Sequence, residues 1–140
     1  MKFISIILFG LIFSNVSAQE SVFGIWKAID DKDGEPSSYI EIYKKEGRAY
    51  GKITKLFDQT DDILCEKCPG DKKNTPVLGL EMLWDMKQKG KEWNGGRILD
   101  PEDGNTYKCV IGLNKDGTLK VRGYIGIRAL GRTQTWHRVS

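Results

Sequence analysis

From Val22 onward the chain alternates apolar and polar residues with a period of two, interrupted at short intervals by glycine, proline and aspartate. That rhythm predicts antiparallel β-strands, whose successive side chains point to opposite faces. "FGIWKAI" predicts a first strand, and Asp33-Gly34 with Pro36 supplies the turn after it. "SYIEIYK" sets Ile40 and Ile42 against Tyr39, Glu41 and Tyr43, and "AYGKITKLF" returns from a turn at Gly47 as its hairpin partner. A charged stretch from Asp58 to Thr75 reads as a loop. "PVLGLEMLW" then predicts a strand, although "EMLWDMKQKGKEW" also admits the start of a short helix. "NGGRILD", "TYKCVIGL", "TLKVRGYIGI" and "TQTWHRV" resume the rhythm, with Asp103-Gly104 and Asp116-Gly117 as hairpin turns between apolar runs.

The count comes to about eight strands joined mainly by tight connections, the number that closes an up-and-down barrel and removes its exposed edges. The fold class is therefore all-β: a small antiparallel up-and-down β-barrel. Alternation assigns Ile40, Ile42, Ile53, Ile111, Leu113, Val121 and Ile125 to the interior, with Gly51 and Gly123 leaving room on the same faces. Cys109 falls in the same row as Ile111 and reads as a small buried filler.

The first residues change the picture of where this barrel works. Lys2, the apolar run "FISIILFGLIF" and the small residues ending "NVSA" predict a signal peptide over residues 1–18, leaving 19–140 as the barrel domain. The apolar run is too short for a bilayer span, which needs about 20 residues, and no second candidate follows. Gln19, after the expected cut, is no lipid-anchor cysteine. The expected location is secreted or periplasmic. The 22 basic and 19 acidic residues give a net charge of +3, with both signs mixed along the chain. That mixture argues against a nucleic-acid face.

The two ends of the barrel domain carry a recognisable set. Gly24 permits close backbone approach, Trp26 offers a broad π face, and Arg138 stands at the end of the last strand. First and last strands are neighbours in a closed barrel, so the guanidinium can lie over the indole. These three structural residues resemble the Gly-x-Trp strand and terminal arginine of lipocalins and fatty-acid-binding proteins. More widely, "GIWKAIDDKDGEPSSYIEIYKKEGRAYGKI", "CEKCPGDKKNTPVLGL", "GGRILDPEDGNTYKC" and "LKVRGYIGIRALGRTQTWHRV" resemble the blocks of a bacterial exported family, domain of unknown function 2147. The resemblance implies a lipocalin-like barrel and export. It implies no activity, and no catalytic residue carries over from it.

Candidate chemistry is sparse. Cys65 and Cys68, in "LCEKCPGDKKN", read as a structural disulfide in an oxidising compartment. A zinc site would need two more soft ligands, for which only Cys109 and His137 remain. A redox pair would need a helix N-terminus that Pro69-Gly70 does not predict. His137 is the single histidine, so every histidine-dependent triad would have to include it; it reads as a wall residue. The acidic turns "DDKDG" and "DQTDD" lack the ligand spacing of a calcium loop. No metal, no cofactor and no catalytic residue is expected. Tyr50, Trp84, Trp93, Arg122 and Tyr124 are the candidate ligand-binding residues: Trp84 and Trp93 as borders of a mouth, the others with Arg48 as a tyrosine/arginine cluster. The expected function is binding of a small apolar or amphipathic ligand in the cell envelope. The alternative is a solid barrel that meets a protein partner through the 58–75 loop.

Overall fold

A computed structural model describes Gly10 and residues 21–140. Apart from Gly10, the expected leader lies outside the described residues. Eight antiparallel strands form a closed barrel in simple sequence order: β1 (Gly24–Ile29), β2 (Pro36–Lys45), β3 (Arg48–Leu56), β4 (Glu81–Lys89), β5 (Glu92–Leu99), β6 (Thr106–Leu113), β7 (Leu119–Tyr124) and β8 (Gly131–Arg138). The predicted all-β barrel is present. The segment that admitted a helix is the β4–β5 hairpin, turning at Gly90 (φ 62°). Among the described residues, no helix is long and apolar enough to cross a membrane.

Each strand forms where the alternation is cleanest. On β2, Ser38, Ile40 and Ile42 are buried while Tyr39 and Glu41 between them are less so, giving the two-faced row that a barrel wall requires. On β4 the chain is irregular: adjacent Met82 and Leu83 are both buried and Asp85 takes φ 57°. The strand bulges there, so its phase slips by one residue. Gly96 on β5 lies against this bulge, where a Cβ would strike the carbonyl oxygen of Trp84. Only a bare backbone fits that approach.

The barrel closes where β1 meets β8, through Trp26 opposite Arg138 and Lys27 opposite His137. Trp26 is fully buried, and its indole N–H donates to the Val22 carbonyl at 2.9 Å. The Arg138 guanidinium lies 4.2 Å from the Trp26 ring centre and donates to the carbonyls of Phe23 (3.1 Å) and Ser21. Towards the other end β1 and β8 diverge, and side chains replace the ladder: Asp31 accepts from Arg132 at 3.1 Å and Gln134 at 3.2 Å.

Two turns at that open end are built alike. In residues 30–35 and 100–105 the leading aspartate accepts from the backbone N–H two residues on, and so does the aspartate before each glycine, at 2.7–2.9 Å. Gly34 and Gly104 supply the positive φ (72° and 73°) that closes each turn.

Candidate functional site

The lower half of the barrel is solid. Ile42, Ala49, Leu83, Met86, Ile111 and Leu119 are at most 1 % exposed, and the Phe23 ring seals the end edge-on against Trp93 at 5.3 Å. The upper half is hollow. A cavity of about 1050 Å³ runs inward from the open end, as large as the bigger small-molecule sites, which reach roughly 1,000 Å³.

The cause lies in the inward rows. Near the open rim their residues are small: Ala28 on β1, Ser38 on β2 and Gly123 on β7 all line the cavity. Deeper, Ile40, Ile53, Leu99 and Val121 give it an apolar wall. Trp136, 2 % exposed, lies on that wall as well, its N–H donating to Gln134 Oε1 at 2.9 Å.

The loop from Phe57 to Leu80 packs over one side of the mouth. Cys65 and Cys68 form a disulfide, as expected, and both are almost fully buried. The Leu64–Pro76 bridge and a 3₁₀ turn at Gly70–Lys72 order the loop. Lys67 abuts the 100–105 turn so closely that a Cβ on Gly104 would strike its carbonyl. Cys109 is buried and unpaired; burial pushes its thiol up to about 12, which leaves it protonated and unreactive at neutral pH.

The sequence-predicted ligand residues are not gathered at this cavity. Tyr50 stands on the outer wall, stacked on Tyr43 at 5.9 Å, its hydroxyl donating to Asp85 at 2.8 Å. Trp84 lies beneath the Lys72 ammonium, 4.3 Å from its ring centre, and so ties the cysteine loop to the wall. Trp93 belongs to the sealed end. Arg122 pins the β7–β8 hairpin by donating to the Arg128 carbonyl (2.6 and 2.9 Å) and Thr133 (2.8 Å). Only Tyr124 borders the cavity. The expected tyrosine/arginine cluster does not form, because β3 pairs with β2 and β4 while β7 pairs with β6 and β8. Ile125, expected inside, is 67 % exposed just beyond β7; Ile40, Ile42, Ile53, Ile111 and Val121 are buried as expected, Leu113 partly so.

The mouth is acidic. Asp30, Asp31, Asp58, Asp100, Glu102 and Asp103 line it, against Lys32, Lys67 and Arg132. Burial would raise the Asp103 carboxyl, but hydrogen bonds from Asn105 and Tyr107 outweigh it and hold the group below its ordinary range. His137 faces outward on β8, away from the cavity. Among the described residues no cluster of three or more histidine, cysteine, aspartate or glutamate side chains has the geometry to hold a metal ion.

Residues 24–138 match the model of a family described as "uncharacterized protein conserved in bacteria (DUF2147)". The chain belongs to this family. A solved structure similar to this DUF2147 barrel is that of HP1028 from the human pathogen Helicobacter pylori, described as belonging to the lipocalin family. The two superpose with a TM-score of 0.76 at 22 % sequence identity, over 86 % of this chain and 84 % of that one. At that identity the likeness is one of fold. No curated protein matches the chain.

Proposed function

We propose that this DUF2147 protein is a carrier: it binds a small apolar or amphipathic molecule in the upper half of its barrel and performs no chemistry on it. The observation that carries the reading is the division of the interior into a packed floor and an apolar hollow open at one end. A barrel that needed only to be stable gains nothing from leaving such a space, since unfilled volume costs packing energy. The lipocalin-like fold is consistent with this role but is weaker support than the cavity, because one fold serves many functions. The cysteine loop, read as the alternative partner-binding feature, has its disulfide turned into the protein and one flank clasped to the 100–105 turn, which favours a role in shaping the mouth.

The leader expected from the sequence of residues 1–18 supports export, and the protein is proposed to work in the periplasm or outside the cell. Cell fractionation with mass spectrometry of the mature protein tests that part, the expected first residue being Gln19. Native mass spectrometry of protein taken from the envelope tests the carrier role. A co-purified small molecule, released on unfolding, is the expected result. Failure both to retain any molecule and to take up a neutral apolar fluorophore such as N-phenyl-1-naphthylamine would refute it.

A further inference from the structure

The mouth and the first inward position below it say more about the ligand than the apolar wall does. Six carboxylates and three cations line the cavity. Among ion pairs between described residues only Asp31–Arg132 joins two of these groups. Five carboxylates therefore face two lysines around an apolar opening. The turns do not require this charge. An asparagine oxygen would accept the same backbone hydrogen bonds at positions 30, 100 and 103, and Asp58 and Glu102 accept none of the side-chain bonds that shape the turns.

Ser38 gives an independent sign. It belongs to the inward row of β2, next to Ile40 and one step from the strand's start at the rim. It is 8 % exposed and lines the cavity. Its neighbour Ser37 donates to the Ala28 carbonyl, whereas the Ser38 hydroxyl finds no partner among the described residues. Among the described residues no fully buried side-chain oxygen lacks a partner, so the Ser38 oxygen keeps an open face, and the residue lines the cavity. Here it is turned towards a space that a ligand would fill, between an acidic rim and an apolar wall.

We infer that the cavity takes a cationic amphiphile: an apolar chain against Ile40 and Val121, a polar linkage at Ser38, and a positive head among the rim carboxylates. This rests on the carrier reading and narrows it. An anionic amphiphile such as a fatty acid would bring its charge into a net negative ring, and the opposite sign is favoured on Coulombic grounds alone.

The test displaces N-phenyl-1-naphthylamine with decyltrimethylammonium, decyl sulfate, decyl maltoside and tetramethylammonium, each below the concentration at which it forms micelles. Circular dichroism monitors the fold throughout. Decyltrimethylammonium is expected to bind about tenfold tighter than decyl sulfate, with the maltoside between them and the headgroup alone without effect. The preference is expected to shrink in high salt and to vanish in Asp30→Asn/Asp58→Asn/Glu102→Gln, which should leave the maltoside affinity unchanged. Equal or tighter binding of the sulfate, or a preference that survives neutralising the rim, overturns the inference while leaving the carrier role intact. If the fluorophore itself never enters the folded protein, the carrier role falls and the inference with it.

Discussion

At the scale of single residues, the seal of the barrel is where sequence and energy meet most directly. Arg138 combines a guanidinium–indole contact with hydrogen bonds to two carbonyls just before β1. Arg138→Met keeps most of the apolar stem and loses the rest, and should lower stability by about 1–2 kcal/mol in a denaturant titration. The tyrosines on the wall make a second prediction, at high pH. Burial first, then a hydrogen bond to Glu81, raises Tyr43 from 10.0 to about 12. Tyr50 and Tyr107 move the same way, chiefly through their hydrogen bonds to Asp85 and Asp103. Below pH 10 these phenols are protonated in both states, so their contribution is intact. Between pH 10 and 12 the unfolded chain gives up protons that the folded one keeps, so stability falls with rising pH. Tyr43→Phe should flatten that fall, and an unchanged slope would show that Tyr43 is not its source. The seal was legible in the sequence because Gly24, Trp26 and Arg138 sit at fixed places in the first and last strands. The cavity lining was not. Tyr50, Trp84, Trp93 and Arg122 have side chains suited to a ligand but do not line the cavity, and alternation puts Tyr50 and Arg122 out of phase with the buried Ile53 and Val121.

At the scale of elements, hairpins carry the fold and one long loop modifies it. The Asp-Gly turns and the period of two point to the hairpins and to closure in sequence order. Only β4 left strand and helix both open, because a bulge at Asp85 shifts the phase and no period-two pattern survives it. The cysteine loop also reads differently in three dimensions. Its charges read as a loop open to a partner, yet Cys65, Cys68, Val77 and Leu80 are all buried in the core. A disulfide spanning so few residues restrains little chain entropy, about 2 kcal/mol by the loop-closure estimate. Its buried position adds a second effect. Cys65→Ser/Cys68→Ser should lower the melting temperature by more than loop closure alone would, because two hydroxyls would then occupy an apolar site. It should also expose the loop to limited proteolysis between Asp58 and Thr75. A double variant as protease-resistant as the parent would show that packing alone holds the loop.

For the whole molecule, the telling contrast lies between two glycines on inward rows at different heights. Gly51 belongs to the filled half: a Cβ there would come within 3.1 Å of Leu83 Cβ and 3.4 Å of Ile40 Cγ2. Gly123 borders the hollow half, where a Cβ would meet Tyr107 Cβ at 3.5 Å and Ile98 Cγ2 at 3.6 Å, ordinary contact distances. Neither has the left-handed backbone that would strain any side chain, so packing alone separates them. Gly51→Ala should therefore cost stability, about 1–3 kcal/mol for overpacking a tight interior. Gly123→Phe should not. Its ring has the cavity to occupy, and replacing a strand glycine with an aromatic is worth up to about 1 kcal/mol in its favour. The same ring would exclude ligand, lowering the affinity for N-phenyl-1-naphthylamine by more than about tenfold. Thermal unfolding and probe titration on the pair then read the interior directly. Stability kept with binding lost marks a hollow that serves a ligand. If Gly123→Phe destabilises as Gly51→Ala does, the upper half is as tightly packed as the lower, and a carrier role has no space to work in.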